Sequence, residues 1–219
     1  MTIAPVTVGH ALTGGGALDP ATPAASLLDG VDGPVAVVPL AAAFARSTAV
    51  AERIETWASA RGIEVVTVPT VRRADALDPA VTGVVAAAAG AIVVDGAGAH
   101  LVSGLKATPL LEALVELATR APVVWSGTSA SAACDPMVDE RGGALTVGLG
   151  VVDDVIVVPA WEGWSREARR RLRRLVPADR LVVGLPTGTA IVPGENPEGW
   201  SPVGPGVEAE LGGEVVALD

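Results

Sequence analysis

A candidate nucleophile lies in the run WSGTSASAAC, residues 125–134, where an apolar segment gives way to small residues. A serine on a sharp strand-to-helix turn exposes its hydroxyl group, and the backbone N–H that follows it can donate to an oxyanion. Ser129 comes two residues after Gly127, as in the motif G-x-S-x-G, although Ser131 takes the place of the second glycine. The run therefore predicts that Ser129 projects from an exposed turn, where an active site would use it for acyl transfer.

A serine hydroxyl is a weak nucleophile without a general base, so the histidines come next. The chain has two, His10 and His100. His100 follows the turn DGAG (95–98) and could lie at a helix start beside the serine turn, with Asp95 to orient it. The alternative is a surface histidine with no catalytic part. His10, ahead of the run TGGG, is the less favoured candidate.

Metal, disulfide and phosphate chemistry are not indicated. Cys134 is the only cysteine, which excludes an intramolecular disulfide and a cysteine-based metal cluster. The presence of only two histidines argues against a histidine-rich zinc site. The run TGGG (13–16) lacks the lysine and the spacing of a P-loop and is interpreted as the turn after a first strand. We therefore expect neither a metal nor a cofactor.

Apolar β-branched runs alternate with helical stretches along the chain, which predicts an α/β fold with a mostly parallel sheet covered on both faces. In such sheets ligands bind outside the carboxyl ends of the strands, which here include the turns DGAG and SGTS. The predicted strands are 35–40, 63–68, 91–95, 122–125 and 155–161, then a strand pair 181–185 and 189–192, and a terminal hairpin. The predicted helices are 46–61, 79–89, further helical residues up to 120, and 165–176.

Composition limits the class of protein. The 219 residues suit one domain, 1–219. A formal net charge of −10 argues against a nucleic-acid partner. The run RRRLRR (169–174) is interpreted as the solvated face of a helix whose inward residues are Ala168, Leu172 and Leu175. The longest uncharged run, 80–94, is too short to span a membrane, and the first residues do not resemble a signal peptide, so a cytoplasmic protein is predicted.

From Val35 onward the chain resembles the cyanophycinase-like serine peptidases, the S51 family that includes peptidase E. Four segments carry the resemblance in order: DGAGAHL (95–101) for the family's GGDQ, GTSASA (127–132) for GTSAGA, VPAW (158–161) for DQHF, and GLPTGTAIV (184–192) for GIDE. The terminal GGEVVALD is similar to the family's last hairpin. The resemblance implies a flavodoxin-like three-layer sandwich related to class I glutamine amidotransferases.

The resemblance assigns roles to three retained positions. Ser129 matches the nucleophile of the family's serine turn. The backbone N–H groups of Gly96 and Ala130 match the donors of the oxyanion hole. It also implies a small peptide or amide as ligand, and a homodimer as the assembly that family members often form.

The proton-carrying members of the motifs are missing. The histidine position is Ala160, the acid pair is Pro186 and Thr187, and no histidine follows residue 100, so no shift in alignment restores the base. The other replaced positions are Val158, Pro159, Ala97, Gly98 and Trp164. Trp161 and Trp164 flank the emptied position, which indicates either a cleft refilled by packing, the favoured interpretation, or an apolar ligand pocket.

Two hypotheses follow. In the first, the chain is a catalytically impaired S51-like homologue that acts by binding or as a partner subunit. In the second, it is an active serine hydrolase in which His100 and Asp95 serve Ser129. A plain α/β ligand-binding domain is a third possibility.

Overall fold

The computed structural model describes residues 8–45, 47–139, 143–195 and 199–218. In chain order its strands are β1 (Gly9–Thr13), β2 (Val35–Val38), β3 (Val65–Thr67), β4 (Gly90–Val93), β5 (Pro122–Trp125), β6 (Met137–Asp139), β7 (Ala144–Thr146), β8 (Val155–Pro159), β9 (Leu181–Leu185), β10 (Ala190–Pro193), β11 (Trp200–Val203), β12 (Glu208–Leu211) and β13 (Glu214–Val216). Its helices are α1 (Ser47–Arg61), α2 (Arg73–Ala76), α3 (Pro79–Ala86), α4 (Gly98–Leu105), α5 (Pro109–Ala118), α6 (Thr128–Ala133) and α7 (Arg166–Leu175). Arg46, the predicted first residue of α1, lies outside the described residues.

The main sheet has seven strands in the order β11-β10-β1-β5-β4-β2-β3. Strands β1, β5, β4, β2 and β3 run parallel, whereas β10 pairs antiparallel with its two neighbours, β1 and β11. The four residues of each of β2, β4 and β5 are buried, as expected for parallel strands with helices on both faces. The prediction of a mostly parallel central sheet is confirmed.

Side chains that alternate along each strand of the main sheet pack into two separate apolar clusters. In β2, Ala36 and Val38 pack into one apolar cluster, and Val35 and Val37 into the other. The first cluster contains the buried leucines of α5, namely Leu110, Leu114 and Leu117, and the second contains Ile54, Trp57 and Ala58 of α1. A period of two in the strand thus places one helical layer on each face of the sheet.

A second sheet of four strands, in the order β13-β12-β9-β8, carries the predicted terminal hairpin β12–β13. The predicted pairing of 181–185 with 189–192 is wrong. β9 pairs with β8 and β12, whereas β10 pairs with β1, Leu12 opposite Ile191. The cause lies in the turn between them, where the Gly188 N–H donates to the Gly15 carbonyl and so directs the chain toward β1 instead of back along β9.

Helix α7 shows its predicted amphipathic character, except that Leu175 is exposed and that Arg169, predicted on the solvated face, stacks on the ring of Trp161. Ser165 caps it by accepting a hydrogen bond from the N–H of Ala168 at 3.2 Å, and Leu172 is buried. Leu175, predicted to face inward, is 47% exposed because it is the last residue of the helix. In the described part of the chain, no helix combines the length and apolar character needed to cross a membrane.

His10 makes stability depend on pH. Burial lowers the pKa of His10 to about 4, and its Nδ1 atom accepts a hydrogen bond from Trp125 Nε1 at 3.1 Å, which requires the neutral ring. The unfolded chain binds the proton near pH 6.5, so stability is full above that pH and is lost as the pH falls toward 4. Between pH 7 and pH 4.5 we expect His10 to remove about 2 kcal/mol from the free energy of unfolding.

Urea unfolding at the two pH values measures this loss. His10→Gln keeps an acceptor for Trp125 but does not titrate, so its loss over the same interval should be smaller by that amount. Equal losses in the two proteins would show that His10 is not the cause.

Candidate active site

The predicted site lies where three adjacent strands end. β5 lies between β1 and β4 in the main sheet, with Leu12 opposite Trp125 and Trp125 opposite Val93. Beyond these carboxyl ends come the turn 14–16 after β1, Asp95 after β4 and Gly127 after β5. The topology therefore brings the two predicted turns, DGAG and SGTS, side by side.

Gly127 occupies the sharp turn between β5 and α6. Its φ of 58° and ψ of −125° are a combination that residues with side chains adopt only under strain. A Cβ atom at this position would overlap the carboxyl group of Asp95. In a nucleophile elbow the reactive residue stands on this strained turn. The geometry thus puts residue 127, not residue 129, in the nucleophile's place.

Ser129 lies inside helix α6 and faces the sheet. It has no exposed surface, and its Oγ donates a hydrogen bond to the Val94 carbonyl at 2.8 Å. The prediction that Ser129 projects from an exposed turn is wrong. The strand ends at Trp125, so the turn falls at 126–127 and Ser129 already belongs to the helix.

His100, Asp95 and Ser129 do not hydrogen-bond to one another in the described residues. His100 lies on α4, where its Nε2 is 2.9 Å from the Val71 carbonyl oxygen and its ring centroid is 4.7 Å from that of Phe44. The Oδ1 atom of Asp95 accepts hydrogen bonds from the N–H of Thr128 at 2.9 Å and from its hydroxyl at 3.0 Å. The rewired arrangement of serine, histidine and aspartate is therefore not assembled.

Two solved structures resemble the chain over almost its whole length. A peptidase from an acI-B1 actinobacterium has a TM-score of 0.75 and 20% sequence identity, with 97% of this chain and 98% of that chain covered. A protein classed as peptidase E from Listeria monocytogenes EGD-e has a TM-score of 0.57 and 15% identity, with 94% and 98% covered. No family model and no curated protein matches the sequence.

The chain has a peptidase E-like fold, of the flavodoxin type. In this peptidase E-like fold, the N–H groups predicted as oxyanion donors are engaged internally. That of Ala130 donates to the Gly127 carbonyl at 2.9 Å, and that of Gly96 lies 3.4 Å from the Thr128 hydroxyl. With the turn at residue 127, the following N–H belongs to Thr128, and Asp95 accepts it. The N–H that follows the sharp turn is thus already bound by a carboxylate of the protein.

The segments that carry the base and acid positions are bound to the turn after β1 through the main chain. The N–H of Ala160 donates to the Gly14 carbonyl at 3.1 Å, and that of Gly188 to the Gly15 carbonyl at 3.0 Å. The N–H of Gly14 donates in turn to the Thr189 carbonyl at 3.0 Å. Ala160 has left-handed backbone angles, with φ of 49° and ψ of 43°. Ala160, Pro186 and Thr187 bring no ionisable side chain to this side of the strand ends, although the carboxylate of Glu162 accepts the N–H of Thr187 at 3.1 Å.

The two tryptophans beside Ala160 separate into the two predicted roles. Trp161 is 5% exposed and packs on Gly184, where an added Cβ would lie 2.6 Å from Cγ of the indole. The guanidinium of Arg169 covers its other face at 3.9 Å from the ring centroid. Trp164 is half-buried and donates from Nε1 to the Pro159 carbonyl at 3.1 Å. Trp161 therefore refills the interior, while Trp164 forms a wall of an open cleft.

This cleft has a volume of about 230 Å³ and lies beside the strand ends. It is lined by Ala97, Gly98, Ala99, Thr128, Ser131, Met137, Val138, Asp139, Thr146, Pro159 and Trp164. The contributions from 137–139 and 146 come from the hairpin β6–β7, which was not predicted because its three-residue strands show no alternation long enough to recognise.

Gly127 was missed because the letters GTSASA match GTSAGA when Ser129 is taken as the serine. The end of the apolar run PVVW at residue 125 was the signal that places the turn two residues earlier.

Cys134, at the end of α6, is fully buried, and burial raises the pKa of its thiol to about 12, so it supplies no thiolate. Among the described residues, no cluster of three or more His, Cys, Asp or Glu side chains could hold a metal ion.

Proposed function

We propose that this chain is a non-hydrolytic protein with a peptidase E-like fold that binds a small peptide or amide in the cleft beside α6. One observation carries the proposal: the carboxylate of Asp95 stands in the volume of a nucleophile on residue 127 and accepts the N–H of Thr128. A tetrahedral oxyanion would compete with a fixed negative charge for the same donor.

The remaining serine does not compensate. The Ser129 hydroxyl donates to a main-chain carbonyl in a buried position, with no base within its hydrogen bonds in the described structure. In serine hydrolases, loss of a triad member lowers the rate by roughly 10⁴- to 10⁶-fold. Here the nucleophile's position, the base and the free donor are all changed, which favours binding over catalysis.

The cleft has the mixture of surfaces that a peptide requires. Met137, Val138 and Trp164 are apolar lining residues, and Thr146 and Asp139 are polar ones. Ser131 is already committed, because its Oγ accepts the N–H of Val138 at 3.0 Å. A capped peptide, with apolar side chains and amide hydrogen-bonding groups, combines both kinds of complement.

A fluorophosphonate probe tests the loss of catalysis. We expect no labelling of the folded protein, because Ser129 is inaccessible and has no base. A known serine hydrolase in the same reaction confirms that the probe is active. Labelling that disappears in Ser129→Ala would refute the proposal.

Binding is tested separately by titrating acetyl-Ala-Ala-amide into isotope-labelled protein. Amide chemical shifts of residues 97–99 and 128 and the indole N–H of Trp164 are expected to move. Ser103→Ala, on the exposed side of α4, is a matched control that should leave these shifts intact, whereas Trp164→Ala should weaken binding at least about threefold by removing an aromatic wall. Shifts confined to other surfaces would contradict this assignment of the cleft.

A further inference from the structure

A second cavity, of about 340 Å³, lies between helix α1 and the edge strand β3. It is lined by Pro39, Ala42, Ala43, Ala45, Val50, Ala51, Ile54, Glu55, Val65, Thr67, Thr70 and Val71. None of these residues lines the cleft beside α6. Segments 39–45 and 70–71 follow β2 and β3, so this groove also opens at carboxyl ends of parallel strands, where α/β proteins bind ligands.

The groove exists because small side chains separate the helix from the sheet. Ala51 on α1 and the alanines of segment 42–45 leave space that a larger residue would fill. Ile54 is 5% exposed and Thr70 is 1% exposed, so the floor is formed by buried side chains. The volume is within the roughly 300–1,000 Å³ range of small-molecule sites.

Glu55 gives the groove its chemical character. It is the only lining residue with a formal charge among the described residues, and it forms no ion pair there. By contrast, Arg61 on the same helix is paired with Asp29. An unpaired carboxylate at the edge of an apolar groove attracts a cation with an apolar body, and the net charge of −10 acts in the same direction.

We propose that this groove binds a small organic cation, a primary amine carried on an apolar chain or ring. The ammonium group pairs with Glu55, and the apolar body lies between Val50 and Val65. The site is independent of the cleft beside α6 and of the function proposed for that cleft.

The experiment compares 4-phenylbutylamine, 4-phenylbutanol and 5-phenylpentanoate, which share a phenyl ring and four methylene groups, by following backbone amide shifts of the full chain. We expect the amine to bind about three- to fivefold more tightly than the alcohol, the factor that an exposed ion pair supplies, and the carboxylate to bind most weakly. The shifts should centre on Val50, Val65 and Thr70. In about 0.5 M salt the preference for the amine should shrink.

Two variants and one control separate charge from shape. Glu55→Gln should remove the difference between amine and alcohol, whereas Glu52→Gln, an exposed glutamate on α1 outside the lining, should leave it unchanged. Ala51→Leu should abolish binding of all three compounds by filling the groove, with an unchanged circular dichroism spectrum.

Three results would overturn the proposal. These are equal affinities for amine and alcohol in the unaltered protein, a preference for the amine that survives Glu55→Gln, and a doubled mass in sedimentation that Ala51→Leu returns to a monomer, which would mean that a second copy covers the groove.

Discussion

Gly127→Ser is expected to lower the free energy of unfolding by about 3–5 kcal/mol. Backbone strain at this φ and ψ contributes about 1–3 kcal/mol for a residue with a side chain, and forcing atoms into filled space contributes a similar amount. The overlapping group is the carboxyl of Asp95. Restoring a serine at the elbow should therefore damage the fold before it restores any chemistry.

A double-mutant cycle with Asp95→Ala measures how much of this loss in the free energy of unfolding comes from steric overlap. Asp95→Ala alone should cost about 1–2 kcal/mol, since it removes two hydrogen bonds to Thr128. Because the alanine frees the space that the introduced serine side chain needs, the double variant should lose at least about 1 kcal/mol less than the sum of the single losses.

Gly62→Ser is the control for a positive φ without steric overlap. Gly62 has a φ of +66°, and a Cβ there would meet nothing within 4 Å. Its replacement should cost only about 1 kcal/mol. Urea denaturation of the four variants measures their free energies of unfolding. Strictly additive losses in the cycle would mean that Asp95 does not occupy the nucleophile's space.

Trp161→Ala is expected to destabilise the protein by about 3–5 kcal/mol, the usual cost of removing a buried aromatic side chain. Its indole packs on Gly184 on one side and under Arg169 on the other, within the cluster that also contains Val158 and Leu172. The change would leave a cavity at the join between α7 and the second sheet.

Trp164→Ala provides the comparison, since it is the same substitution three residues later. Trp164 is half-buried on the cleft, so its loss should cost about 2 kcal/mol or less and should act mainly on ligand binding. Thermal and urea unfolding of the two variants compare their losses of stability. Similar losses of stability would remove the distinction between a packing tryptophan and a cleft-lining one.

The sequence allowed the frame of the fold to be predicted because its central strands are short, fully buried β-branched runs. Runs such as VAVV and PVVW are apolar at every position, which is typical of strands in a sheet that is covered on both faces. Strands with partly exposed residues, such as β7 and β11, lack that signature and were not predicted. Their position depends on contacts with distant segments, which local composition does not specify.

The sequence predicted that the turns after β4 and β5 lie at one edge of the sheet, but it did not predict which residue stands on the sharp turn. The turns after β4 and β5 do meet, as their positions at neighbouring strand ends require. Ser129 was wrongly placed on the turn because the alignment followed the similarity of GTSASA to GTSAGA. In the structure the position of the turn follows from the end of strand β5 at Trp125. The contact of His100 with Val71 could not be predicted from the sequence for a different reason. Val71 lies 29 residues earlier in the chain, and the contact depends on how α4 packs against the segment after β3.

The hydrogen bonds that join residues 14, 15, 160, 188 and 189 use only main-chain atoms. Three of these five residues are glycines that have no room or no unstrained backbone for a side chain. A Cβ atom on Gly14 would lie 2.2 Å from the Pro186 carbonyl oxygen, and Gly15 and Gly188 have φ of +109° and +84°. Insertion or deletion of a single residue would be as damaging, because it shifts the donor and acceptor of several bonds at once. Both the length of these loops and their glycines are therefore properties that this part of the protein has to preserve.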